Sequence, residues 1–105
     1  MGEYRIGFGE MAWETPAAFV RSKRVSVGGR TMRVVEFQRG FVEEEWCARE
    51  HAGYVLEGRM TVEFAGGERV EFGAGDGIDI PAGPEHGHKA TPQSDRVVMV
   101  LFEPR

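Results

Sequence analysis

The chain's three histidines and its one cysteine fall in two short stretches. The first, "EWCAREH", carries a carboxylate at Glu45, the chain's single thiol at Cys47 and an imidazole at His51. The second, "GDGIDIPAGPEHGHKA", carries His86 and His88. Glu45, Cys47, His51 and His86 offer oxygen, sulfur, nitrogen and nitrogen donors, a set that suits a divalent transition-metal ion if the fold brings them to one point. Two imidazoles, a thiolate and a carboxylate would neutralise such an ion. The thiolate favours Zn²⁺, while Fe²⁺, Ni²⁺, Co²⁺ and copper ions also suit an imidazole-rich site. With Glu45 withdrawn, three protein ligands leave an open position of the catalytic kind; with all four bound, the site is closed and structural. Each residue also has a plainer reading. Cys47 can be a small buried hydrophobe, Glu45 ends an acidic run of the sort that usually faces water, and a histidine on a strand can be an ordinary polar residue.

The elements that must position these groups are strands. No segment of the 105 residues holds a helical period for three turns, whereas period-two alternation recurs between turns punctuated by 15 glycines. "RVSVGGRTMRVVEFQRG" predicts two strands joined through Gly28-Gly29, and "RMTVEFAGGERVEFGAGD" predicts a second pair joined through Gly66-Gly67. In that second pair Met60, Val62 and Phe64 share one face, opposite Val70 and Phe72. Glu45 and Cys47, two apart on a further expected strand, leave the same face, with Trp46 on the other. The last segment, "RVVMVLFEP", is apolar at both parities: Val97, Met99 and Leu101 on one side, Val98, Val100 and Phe102 on the other. Such a strand calls for cover on both faces, here expected from the N-terminal arm and from a second copy in a homodimer. The arm, residues 1–20, is irregular and aromatic, with Thr15 before Pro16 suited to capping a single helical turn.

At this length and 41% hydrophobic content the chain forms one domain, residues 1–105. A net charge of −4 with no basic stripe beyond "RSKR" gives no footprint for nucleic acid. No apolar run approaches a membrane span and no leader pattern opens the sequence, so the expected partner is a small molecule and the expected location cytoplasmic, which suits the lone thiol.

About eight to ten short strands fit a sandwich, an up-and-down barrel or a jelly roll. Two motifs choose among them. Gly75, Pro81, Gly83 and His86 carry the spacing of the second motif of the cupin family, with Ala90 where that family often has Asn. The frame Glu45-x-Cys47-x3-His51-x6-Gly58, ending in "YVLEG", is similar to the first, with Gly40 leading it one residue late. The chain therefore resembles the cupin family over residues 40–58 and 75–90. Glu45 and Cys47 stand in the two positions where that motif has His, and His51 stands where it has Glu. The resemblance implies an all-β double-stranded β-helix, the jelly-roll barrel. It further implies a metal inside the barrel held by His51, His86, Cys47 and Glu45, with His88 lining the pocket or replacing His86. Such a protein would act on, or sense, a small polar molecule of sugar or carboxylate type. An enzyme, a non-catalytic sensor and a homodimer with a purely structural metal all remain open, since a fold does not fix a function.

Overall fold

The computed structural model describes residues 4–104. Nine strands follow one another in chain order: β1 Glu14–Ala17, β2 Val20–Val27, β3 Arg30–Gln38, β4 His51–Glu57, β5 Arg59–Phe64, β6 Arg69–Gly73, β7 Gly77–Ile80, β8 His88–Pro92 and β9 Arg96–Pro104. They form two antiparallel sheets, one ordered β1-β2-β3-β9-β4-β7 and the other β6-β5-β8. This is the expected all-β jelly roll, and the inner faces of its sheets enclose one core.

The Gly28-Gly29 hairpin is as tight as its sequence predicts, with Val27 opposite Arg30. The second hairpin is longer: it turns through residues 65–68, closed by the Gly67 N–H on the Phe64 carbonyl at 2.8 Å. Met60 pairs with Phe72 and Val62 with Val70, as the alternation requires. Between β4 and β5 only Gly58 intervenes; it has φ +86°, and a Cβ there would collide with the Arg96 carbonyl. Only glycine allows so short a turn at this point.

Alternation then decides which residues face inward. On β5, Met60 and Val62 are buried; on β7, Ile78 and Ile80; on β9, Val97, Met99 and Leu101. Val35 and Val55 complete the most deeply buried set, each worth about 1.5–3 kcal/mol of apolar transfer. The same parity puts three polar residues on the inner faces at one end of the barrel: His51 on β4, His88 on β8 and Glu103 on β9.

Three local expectations are corrected. Thr15 and Pro16 lie in β1, not in a helical turn; Thr15 and Pro16 continue an edge strand that pairs with β2 between Glu14↔Ser22 and Ala17↔Val20. The segment 41–50 is irregular where a strand carrying Glu45 and Cys47 was expected; its one sheet-like contact is a bridge between Cys47 and His88. His86 does not begin the strand after the Pro81-x-Gly83 turn. It closes a short 3₁₀ turn, Pro84–His86, and β8 starts two residues later.

The arm packs outside the barrel. Trp13 lies under both the Arg21 guanidinium and the Lys23 ammonium, 4.2 and 4.5 Å from its ring. Lys23 also donates to the Phe8 carbonyl at 2.8 Å. Among the described residues no helix is long and apolar enough to cross a membrane.

Candidate metal centre

The site forms where three strand ends and the irregular segment 41–50 meet. His51 opens β4, between Ile80 of β7 and the inner face of β9. Since Ala52 lies opposite Phe102, the same register continued by one residue sets His51 against Glu103. The His51 Nδ1–H donates to Glu103 Oε2 at 2.9 Å, which leaves Nε2 as the free lone pair, and Nε2 lies 3.7 Å from Cys47 Sγ.

His88 enters from the other sheet. On β8 the inward parity is His88, Ala90, Pro92, and His88 is only 4% exposed. Its Nδ1–H donates to the His86 carbonyl at 3.1 Å, so its Nε2 is free as well. Burial holds the His88 pKa below the usual histidine range, and any charge on His51 lowers it further, outweighing the pull of the His86 carbonyl and Glu43. At neutral pH the ring is therefore an uncharged donor, the form a metal needs.

The Cys47 and His88 backbones bond each other twice, N–H to carbonyl at 2.9 and 3.0 Å in the two directions. Thiol and imidazole are thus set side by side by main chain alone. The His51 and His88 rings meet edge to face with centroids 5.0 Å apart, and the donor atoms of Cys47, His51 and His88 all lie within 4.8 Å of one another. A tetrahedral zinc with bonds of about 2.3 Å to sulfur and about 2.0 Å to nitrogen requires a sulfur–nitrogen separation of about 3.6 Å, close to the 3.7 Å between Cys47 and His51. The donor set and the Cys47–His51 spacing fit a borderline divalent ion.

Glu103 anchors the group. It is 5% exposed and accepts, on the one oxygen Oε2, from both His51 and the Arg33 Nη2–H, the latter at 2.8 Å. Burial alone would raise its pKa; the hydrogen bonds from His51 and Arg33 and the Arg33 charge more than reverse that and bring it to about 2. A carboxylate so placed fixes the His51 tautomer and ring orientation, the usual role of a residue behind a metal-binding histidine.

The sequence-predicted residues divide accordingly. Cys47 and His51 come together; the imidazole that joins them is His88. His86 sits on the surface, its side chain 42% exposed and 3.9 Å from Glu85. Gly83, at φ +123°, leads into the Pro84–His86 turn, none of whose residues is buried. Glu45 is exposed, while Glu43, two residues earlier, lines the cavity and accepts the Ala90 N–H at 2.8 Å. Glu103, Arg33 and Glu43 were not singled out in the sequence. Glu103 was within reach, because it shares the parity of Val97, Met99 and Leu101.

A cavity of about 290 Å³ opens beside the cluster. Its walls are chiefly core residues such as Val35, Phe41, Met60 and Met99, and its polar lining is Arg33, Glu43, Cys47, Arg49, His51 and His88. Apolar walls with a few convergent polar groups are the general form of a small-molecule site.

The fold is that of a cupin, and comparison with known proteins agrees. The cupin domain family profile matches residues 33–102, and the chain belongs to the cupin family. Among solved structures it is similar to KdgF from Halomonas sp., with 29% identity over 92% of this chain and 91% of that one, at a TM-score of 0.72. The polyketide cyclase RemF from Streptomyces resistomycificus shares the fold, with 20% identity over 95% of this chain and 78% of that one and a TM-score of 0.78. So does a sugar phosphate isomerase from Silicibacter pomeroyi, with 18% identity over 83% of this chain and 60% of that one and a TM-score of 0.67. No curated protein matches.

Proposed function

We propose that this cupin holds one divalent metal ion through Cys47, His51 and His88 and presents it to a small polar molecule entering the barrel. The observation that carries this reading is the convergence of one thiol and two imidazoles on the wall of a cavity. Zn²⁺ is the favoured ion because a thiolate and two imidazoles are its usual partners. Three protein ligands leave a coordination position for a ligand oxygen or water, which separates a working site from a closed structural one. A metal bound there supplies a Lewis acid. The chain's own residues do the rest: Glu103 keeps His51 in one tautomer, the His86 carbonyl does the same for His88, and the apolar walls exclude water. A ligand of sugar or carboxylate type is the class that the cupin resemblance implies, and an apolar cavity with a few convergent polar groups suits a small molecule. The lone thiol supports a reducing, cytoplasmic location.

A sensor without catalysis uses the same site and is the second reading, favoured by the thiol and histidine standing where the family's first motif has His and Glu. A homodimer through the outer faces of β4 and β9 is proposed alongside, on the exposure of Tyr54 and Leu56 on β4 and Phe102 on β9. The deciding experiment is elemental analysis of untagged protein, wild type beside Cys47→Ala, His88→Ala and His86→Ala. About one metal per chain is expected in wild type and His86→Ala, with loss in the other two. Full occupancy in Cys47→Ala would make the thiol a bystander.

A further inference from the structure

Two arginines adjoin the cluster. Arg33 and Arg49 line the central cavity and also a second hollow of about 340 Å³ bounded by β1 and β2, so they stand where the two spaces meet. Arg33 is held in place by Glu103, whose Oε2 also accepts from His51, so the guanidinium lies one carboxylate oxygen away from the His51 ring. A guanidinium offers five N–H donors in a planar fork, and Glu103 engages Arg33 through Nη2. Arg49 makes no ion pair among the described residues and faces the same opening.

We infer that Arg33 and Arg49 form a carboxylate-binding subsite beside the Cys47, His51 and His88 cluster, and that the ligand is a small monocarboxylic acid with an apolar body. The inference rests on the site proposed above and narrows its ligand class. Arg is the residue suited to planar, two-pronged recognition of a carboxylate. The body of the ligand would lie against Val35, Phe41 and Met60, walls that offer a polyhydroxylated sugar ring no hydrogen bonds. Charge agrees. Arg33 and Arg49 are offset by Glu103 and Glu43, so a divalent ion held by one thiolate leaves a single positive charge for a monoanion to neutralise. An oxygen on the carbon next to the carboxylate would then face the metal-binding cluster, since only Glu103 separates Arg33 from His51.

Calorimetric titration tests this with 2-oxo-4-methylpentanoate, its neutral counterpart 4-methyl-2-pentanone and the polar acid D-glucuronate. Each is titrated into wild type, Arg49→Gln and Arg33→Lys, with the metal content of every preparation measured in parallel. Arg49 is exposed, so its variant should fold, and Arg33→Lys keeps the charge facing Glu103. The oxo acid should bind wild type more tightly than the ketone by about tenfold or more, the value of a charged hydrogen-bond partner. Both variants should lose that margin, with ketone binding unchanged. Equal binding of acid and ketone, no binding of either acid, or an Arg49→Gln protein that keeps the margin would overturn the subsite; tighter binding of glucuronate would overturn the apolar body. Metal-free protein that still prefers the acid through Arg49 would uphold the subsite and sink the metal reading, whereas metal-loaded protein without that preference would do the reverse.

Discussion

The two faces of β9 are written in nearly the same letters and end in different environments. Val97, Met99 and Leu101 point into the barrel and are almost wholly buried; Val98, Val100 and Phe102 point outward, and Phe102 is 41% exposed. The inward series then changes character at its last member, Glu103, which sits in the core end without facing water. The outward series continues sideways into the exposed Tyr54 and Leu56 on β4, across the Tyr54↔Val100 pair. Apolar letters alone therefore say that a strand is covered or sticky, and a single charged letter at the same parity says where the chemistry lies.

Breaking the inner face should have the largest effect. Glu103→Ala strands the Arg33 guanidinium in a half-buried position and frees His51 to turn; unfolding by urea should show a loss of about 3–5 kcal/mol, and metal affinity should fall about 10–100-fold. Leu101→Ala opens a cavity beside the site without touching a donor, so it should cost about 2–5 kcal/mol and leave the metal content as in wild type. If both variants lost metal equally, the donor cluster would be answering to general packing and not to Glu103.

Acid should act through the same carboxylate. A group whose folded pKa lies below its ordinary value favours folding at pH above the ordinary value and loses that contribution on protonation. Glu103 drops from 4.5 to about 2, so its contribution should be complete above about pH 5 and fade as pH falls toward 2. His88, also lowered, acts in the same direction beginning at its ordinary histidine range. Stability measured by denaturation at stepped pH should decline through both intervals, and Glu103→Gln should remove the lower one.

The outer face should answer differently. Phe102→Glu should leave the urea midpoint of the subunit within about 0.5 kcal/mol, as surface changes usually do, and leave the metal in place, while light scattering shifts from dimer to monomer. A wild type that is monomeric at micromolar concentration would remove the proposed interface. The smallest effect is expected for His86→Ala, with stability within about 0.5 kcal/mol of wild type and metal content unchanged.

These contrasts show what could be read from the chain. Most of the strands, both hairpins and the shared face of Met60 and Val62 on β5 were legible, because period-two burial is written directly into side-chain type; β1 and the choice of inward face on β9 were not, the last strand being apolar at both parities. That Cys47 and His51 would lie together was legible from residue type and motif spacing. The choice between His86 and His88 was not, since both share one parity on an uninterrupted strand; Pro84 and Gly87 shift the strand start, and only the folded turn shows by how much. The segment 41–50 misled for a related reason: it is fixed by the Cys47–His88 bridge and the Glu43 contact with Ala90, which are long-range bonds without a local pattern. Arg33 reads as an ordinary strand cation until β9 is known to lie beside it with Glu103 two residues off its direct partner Leu101.

The paired main-chain bonds between Cys47 and His88 have a consequence for how the protein would handle an ion. Sulfur and nitrogen are brought together by the same kind of bond that builds the sheets, so the chain need not be ordered afresh when the ion arrives, unlike the small domains that are unfolded without zinc. A chelator should then empty the pocket while the shell stays closed, and the emptied protein should take an ion up again without refolding.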